Sequence, residues 1–192
     1  MPGNPPPFDN ESDGLLLYLV QQRDGLRFAA YGLTEEQLRL KATPASALTV
    51  GGLLKHATVT ERGWIDLIAG ESADQTEEEY GVDFIVGPDE SLESLLALQV
   101  ETAAHTEAVI RGLPSLDEAV QLPEAPWYPQ NAAGYSARWI LLHILEEVAR
   151  HAGHADIIRE HIDGATMYEL MAGAEGWPAT EWISPWQPPE RG

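Results

Sequence analysis

Apolar residues recur every three to four positions along four long segments of the chain, which is the spacing of an amphipathic α-helix. These segments are Asp13–Tyr31, Thr49–Gly70, Ser91–Gly112 and Ser136–His161. A shorter apolar segment predicts a fifth helix over Met167–Ala172, whereas the strand signal is confined to the run Phe84–Val86. We therefore predict an all-α protein, a four-helix bundle with long loops at one end.

The two ends of the chain differ in composition from this central part. Residues 1–12 are rich in proline and predict a flexible tail. Residues 176–192 carry three of the six tryptophans among several prolines, which prevent regular structure. We expect a bundle domain over 13–175, followed by an irregular Pro/Trp-rich extension packed on it.

Composition excludes several classes of function. The 192-residue chain has no cysteine, so disulfides, thiolate metal ligands and a cysteine nucleophile are all absent. Its formal net charge of -20 opposes binding to nucleic acid, which requires clustered Lys and Arg. The N-terminus lacks the features of a secretory signal, and the apolar runs are too short to span a bilayer. We expect a cytoplasmic protein without nucleic-acid or membrane partners.

Four of the six histidines lie in the last long segment. At 100° per residue, His143, Glu147, His151 and His154 fall within one arc of about 80°, beside the apolar stripe of the helix. Residues four apart lie one turn apart on the same face, so both His143/Glu147 and Glu147/His151 are spaced to bind one ion. Imidazole and carboxylate ligands suit Zn, Ni, Fe or Mn.

A metal site of this kind needs a third ligand from another helix. His56, among the apolar residues of the second segment, is a better candidate than His105, which we expect on the surface. A simpler interpretation also exists, in which Glu147 forms a salt bridge with Arg150 or Arg159 on a solvated helix face.

Two stretches resemble the DinB superfamily. RWILLHILEEVARHAGHADIIRE, from Arg138 to Glu160, is similar to the last long helix of that superfamily, and LTVGGLLKHA, from Leu48 to Ala57, is similar to the segment with its first histidine ligand. The resemblance is strongest to the actinobacterial branch of mycothiol-dependent maleylpyruvate isomerases and mycothiol S-transferases. It implies an up-down-down-up bundle.

The resemblance also implies a ligand set. A divalent metal would be held by His56, Glu147 and His151. His154 would lie near the metal without binding it and hydrogen-bond a ligand or the substrate. His143 has no counterpart in the family motif. Zn is the expected metal and mycothiol the expected thiol co-substrate. Dimers are common among the relatives, so a homodimer is compatible with the resemblance.

These residues favour a metal-dependent thiol S-transferase or a thiol-dependent isomerase. The metal would hold the thiol as a thiolate, a strong nucleophile at neutral pH. We expect Trp127, Tyr128 and Tyr135 to line the pocket of the electrophile, and Arg138 to recognise a carboxylate. The alternatives are a metal- or small-molecule-binding stress protein without turnover, and a metallohydrolase that activates water.

Overall fold

The computed structural model describes residues 3–71, 81–121 and 134–188 and confirms the all-α class. The helices are Glu11–Ala30 (α1), Glu35–Leu38 (α2), Val50–Ala69 (α3), Leu92–Gly112 (α4), Ala137–Asp163 (α5) and Met167–Ala174 (α6). Two short strands, Ala119–Val120 (β1) and Tyr135–Ser136 (β2), pair antiparallel, with Ala119 opposite Ser136 and Val120 opposite Tyr135. None of the described helices is long and apolar enough to cross a membrane.

The long helices begin where the sequence supplies a capping side chain. The side chain of each cap accepts a hydrogen bond from the backbone N–H three residues later, which satisfies one of the otherwise unpaired donors. These caps are Asn10, Thr49, Ser91 and Ser136. Helices α3 and α5 end at Gly70 and Gly164, whose positive φ angles of 73° and 79° favour glycine.

The weak strand signal over Phe84–Val86 does not correspond to a strand. This segment forms a turn and a bend that pack on α3 and α2, and Phe84 places its backbone against Gly52. Phe84 and Val86 pack on a helix surface instead of a sheet, whereas Ile85 between them is exposed. This alternation explains the misleading β signal. The described strands lie instead at residues 119–120 and 135–136, where two residues each are too few to give a periodic pattern.

Helices α3 and α4 run parallel. Arg62 of α3 lies 3.3 Å from Glu101 of α4, and one turn further along both helices Asp66 lies 2.9 Å from His105. Because both contacts join residues separated by the same number of positions, the two helices advance in the same direction.

Helices α1 and α5 are also parallel to each other. Arg138, in the first turn of α5, is 2.8 Å from Glu11 at the start of α1. Towards the end of both helices, the Nη1 atom of Arg159 donates to the carbonyl of Ala29 at 2.9 Å. Gly25 of α1 lies close to Ala152 between these two contacts.

Helices α3 and α5 run antiparallel. The rings of His56 and His151 have centroids 5.0 Å apart, and further along α3 Trp64 lies 5.2 Å from His143, which precedes His151 on α5. With α1 parallel to α5 and α3 parallel to α4, the bundle therefore has the up-down-down-up order. Leucine, isoleucine, valine and alanine side chains from all four long helices fill one core between them.

The C-terminal segment contacts the bundle through Trp186. Its ring lies over the guanidinium of the fully buried Arg159, 4.8 Å from the Cζ atom, and against Tyr31 with centroids 5.6 Å apart. Gly32 and Gly173 permit this approach, because a Cβ atom at either position would collide with Trp186. This contact covers the end of the α1/α5 pair.

Candidate metal centre

Helices α3 and α5 bring His56, Glu147 and His151 together. One ligand atom from each of the three residues lies within 4.8 Å of the other two. The Nε2 atom of His151 is 3.2 Å from the Oε2 atom of Glu147. Both histidines are buried, whereas Glu147 is half-buried, so the group lies between the helices with its carboxylate towards solvent.

The local sequence explains why the loop after α3 can close over this group. A Cβ atom at Gly52 would overlap the carbonyl of Phe84, so glycine permits the loop backbone to pack directly on α3. The Phe84 ring then stacks on His56, with centroids 3.8 Å apart and planes 19° apart, and meets the His151 ring edge-on at 5.9 Å. Phe84 is a wall of the site that the sequence analysis did not identify, and the Gly51-Gly52 pair was its available signal.

Burial sets the protonation of the two histidines. Desolvation, with a smaller contribution from the nearby His151, lowers the pKa of His56 to about 4. Desolvation also lowers the pKa of His151, although Glu147 acts in the opposite direction. Both imidazoles are therefore neutral at pH 7, which is the form that binds metal ions.

The other two histidines of the arc occupy different positions. The Nδ1 atom of His154 is 3.5 Å from the Nδ1 atom of His151, on the side of that ring away from Glu147. His143 pairs with Glu146, at 3.8 Å, instead of orienting Glu147, and its ring stacks on Trp139. The arc is therefore continuous along the helix, but only part of it faces His56.

The salt-bridge interpretation of Glu147 is wrong for both arginines considered. Arg150 lies 3.9 Å from Glu146, and Arg159 pairs with Asp163 at 2.8 Å. Arg159 also donates to backbone carbonyls at the end of α1, which fixes it away from Glu147. Glu147 instead contacts the imidazole of His151, which is neutral at pH 7.

The residues expected to bind substrate lie in different surroundings, and their role stays a prediction. Arg138 is already bound by the carboxylates of Glu11 and Asp117, which hold its pKa above its usual value, so the expected recognition of a substrate carboxylate is not supported. Tyr135 of β2 stacks on Trp139 of α5, with centroids 3.7 Å apart. Trp127 and Tyr128 lie outside the described residues.

A second group of three ligand-type side chains lies further along α3. It consists of Asp66, Glu71 and His105, so His105 is half-buried in contact with Asp66 instead of free on the surface. The Asp66 carboxylate also accepts from Arg62 at 3.0 and 3.3 Å. This positive charge makes the group an ion-pair network between α3 and α4 and opposes a cation there.

The helix order and the His/Glu/His group between α3 and α5 define the class: the protein is a DinB-like four-helix bundle. The family model described as mycothiol-S-transferase matches residues 14–164, from α1 to the end of α5. The chain therefore belongs to the mycothiol-S-transferase family. A comparison with curated proteins found no match.

Proposed function

We propose that this protein joins mycothiol through its sulfur to a small electrophile, at a divalent metal ion held by His56, Glu147 and His151. The observation that carries the proposal is the convergence of these three side chains from two antiparallel helices, with ligand atoms within 4.8 Å of one another. Membership of the mycothiol-S-transferase family supports the identity of the thiol.

The donor set suits a divalent transition metal. Two neutral imidazoles and one carboxylate are the ligands of many catalytic zinc sites, which keep a further coordination position for a substrate. Zn is the metal that we propose, and Ni, Fe and Mn accept the same ligand types. When bound, the ion would supply the positive charge that stabilises a thiolate at neutral pH.

The side chains around the group prepare it for this role. His154 lies behind His151 and can fix the orientation of its ring, so that Nε2 faces Glu147. Phe84 covers one face of His56 and limits the access of water from that side. Because the chain has no cysteine, the reactive sulfur must come from the co-substrate, and that thiol cannot form a mixed disulfide with the protein.

The overall reaction is a nucleophilic displacement or addition by sulfur. In the displacement, a sulfur–carbon bond forms while the bond from that carbon to the leaving group breaks. The leaving group departs with the bonding electron pair, and the proton of the thiol passes to solvent. No oxidant or reductant is required.

Metal content provides a test that does not depend on turnover. Wild-type protein loaded with Zn²⁺ and dialysed should retain about one ion per chain by elemental mass spectrometry, because three protein ligands suffice for tight binding. His151→Ala and Glu147→Gln should each reduce the retained metal at least tenfold. His161→Ala is the matched control, since His161 is exposed at the end of the same helix and contacts the carbonyl of Ile157. Equal metal in His151→Ala and wild type would contradict the ligand set.

A panel of thiols tests the reaction class. Metal-loaded protein is incubated with monochlorobimane and either mycothiol, glutathione or bacillithiol, and the fluorescent conjugate is measured against the uncatalysed rate. We expect acceleration with mycothiol and its loss in His151→Ala. Metal retention without acceleration by any of the three thiols would contradict the transferase and favour a metal-binding protein without turnover.

A further inference from the structure

A series of stacked aromatic rings runs along α5 next to the candidate metal centre. Tyr135, Trp139 and His143 are spaced four residues apart, and the centroids of Trp139 and His143 are 5.1 Å apart with planes at 20°. Trp64 of α3 lies beside all three rings, at 6.3, 5.9 and 5.2 Å respectively. We call these four residues the aromatic column.

The aromatic column continues the stripe that carries the candidate ligands. Positions 139, 143, 147 and 151 follow one another at intervals of four, so their side chains form one continuous ridge that winds by about 40° per step around α5. Tyr135 lies in β2, just before the helix, and extends this ridge by its contact with Trp139. With a rise of 1.5 Å per residue, His143 lies about 6 Å and Trp139 about 12 Å from Glu147 along the helix axis. The column ends at His143, because the next position carries a carboxylate instead of a ring.

Helix α3 presents a matching stripe. His56, Thr60 and Trp64 are also four residues apart, and the hydroxyl of Thr60 lies 3.5 Å from the Nδ1 atom of His56. Because α3 and α5 are antiparallel, Trp64 packs on His143 where His56 packs on His151. The aromatic column is therefore the layer of the α3/α5 interface next to the candidate metal centre.

The aromatic column is partly exposed to solvent. Trp139 is 40% exposed and the side chain of His143 is 28% exposed, whereas the core residues Leu53 and Ile144 of the same two helices are buried. A surface of adjoining aromatic rings that remains in contact with water beside a reactive centre is typical of a ligand-binding surface.

The charges around the column favour an uncharged ligand. Glu146 lies 3.8 Å from His143, and Glu147 follows on the stripe. The nearby cation on α5 within the described chain, Arg138, is neutralised by two carboxylates. A ligand with a carboxylate would therefore be repelled, whereas a flat neutral ring can stack on aromatic side chains at a gain of about 0.5–1.5 kcal/mol per ring pair.

We propose that the aromatic column binds an uncharged planar ring of the electrophilic substrate and positions it beside the candidate metal centre. This inference rests on the proposed function and specifies its substrate class. For 1-chloro-2,4-dinitrobenzene, the sulfur–carbon bond forms at the ring carbon that carries chlorine and the carbon–chlorine bond breaks. Chloride leaves with the electron pair, and the thiol proton passes to solvent.

Ring preference is tested by kinetics with two neutral electrophiles, 1-chloro-2,4-dinitrobenzene and the ringless iodoacetamide. The measured ratio is kcat/KM for 1-chloro-2,4-dinitrobenzene divided by kcat/KM for iodoacetamide. Trp139→Leu should lower this ratio about three- to tenfold, because it raises the KM of the ring substrate. Trp139→Phe retains a ring and should give an intermediate ratio. Trp182→Leu is the control, since Trp182 is 85% exposed in the C-terminal segment, and its ratio should equal that of wild type. In wild type, the charged 4-chloro-3,5-dinitrobenzoate should react more slowly than its uncharged methyl ester.

Equilibrium dialysis with 1,3-dinitrobenzene measures ring binding without any transfer, because this compound has no leaving group. Trp139→Leu should raise its Kd about three- to tenfold, in protein whose far-ultraviolet circular dichroism equals that of wild type. If Trp139→Leu changes neither the kcat/KM ratio nor the Kd of 1,3-dinitrobenzene, the inference is overturned. It is also overturned if mycothiol displaces dinitrobenzene, because the column would then bind the thiol. Weakened dinitrobenzene binding in a protein that transfers no thiol would support the inference and contradict the proposed function alone.

Discussion

Replacing Glu61 by leucine should destabilise the bundle by about 3–5 kcal/mol, because it leaves a buried guanidinium without its carboxylate. Arg23 of α1 and Glu61 of α3 form a two-bonded ion pair, in which Arg23 Nε is 2.9 Å from Glu61 Oε2 and Nη2 contacts Oε1. Their side chains are only 8% and 2% exposed. The hydroxyl of Thr106 on α4 also donates to Glu61, so one carboxylate joins three helices.

The size of this effect is large relative to the stability of a domain. Single domains are typically stable by about 5–15 kcal/mol, so for a stability in the middle of that range the change removes about a third to a half of the total. At about 2–4 °C per kcal/mol for a chain of this size, the Tm should fall by about 6–20 °C. The attraction of the pair is not the cause of this loss; the cause is the unpaired charge that remains in the core.

A double variant separates these two causes. Arg23→Met/Glu61→Leu removes both charges, and apolar replacement of a buried pair is often neutral or stabilising, so it should recover most of the lost stability. Urea unfolding followed by circular dichroism measures all the variants, with Glu146→Ala as the control, because Glu146 is exposed and 3.9 Å from Arg150. A loss below about 1 kcal/mol for Glu61→Leu, as for a surface pair, would refute the reasoning.

Two further changes test the loop contact and a buried carboxylate. Gly52→Ala should reduce Zn²⁺ retention severalfold, because the new methyl group meets the carbonyl of Phe84, whereas Gly63→Ala on the same helix meets nothing within 4 Å and should retain wild-type metal. Burial and the neighbouring Glu160 raise the pKa of Asp156 to about 6, so its favourable contribution is present at pH 4 and lost as the pH rises through 6. Asp156→Asn should therefore gain about 1–2 kcal/mol over wild type at pH 7 after discounting for solvent exposure, and much less at pH 4. A gain in urea unfolding that is equal at the two pH values would contradict this assignment.

The common face of the candidate ligands on α5 could be predicted from the sequence, because periodicity alone places residues on a helix face. Glu147 and His151 share that face whatever the helix packs against. The choice between the two spaced pairs, His143/Glu147 and Glu147/His151, depends on the position of α3, and periodicity contains no information about the order of helices in a bundle. The family resemblance supplied that information, and the structure places His56 beside His151.

Contacts made by loops and helix ends could not be predicted in the same way. Arg138 is a free cation in the sequence, but Glu11 comes close to it when α1 and α5 pack in parallel. Asp117 comes close because the segment before β1 bonds to the start of α5, where the backbone N–H of Arg138 donates to the carbonyl of Leu116 at 2.9 Å. Phe84 has apolar neighbours that suggest a strand, and only the close approach to Gly52 converts it into a wall of the metal centre. Both cases depend on tertiary packing, which outweighs local propensity.

The facing side chains of α3 and α5 are determined by the direction of the helices and by one contact between them. Once α3 and α5 are known to be antiparallel and His56 to meet His151, the four-residue spacing on each helix fixes which side chains meet further along. Pairing His56 with His151 then places Trp64 two turns away, against His143. The aromatic surface beside the candidate metal centre therefore follows from the sequences of α3 and α5, their antiparallel direction and the contact between His56 and His151. Thr60 and Glu147, which lie between the two layers, are both half-buried.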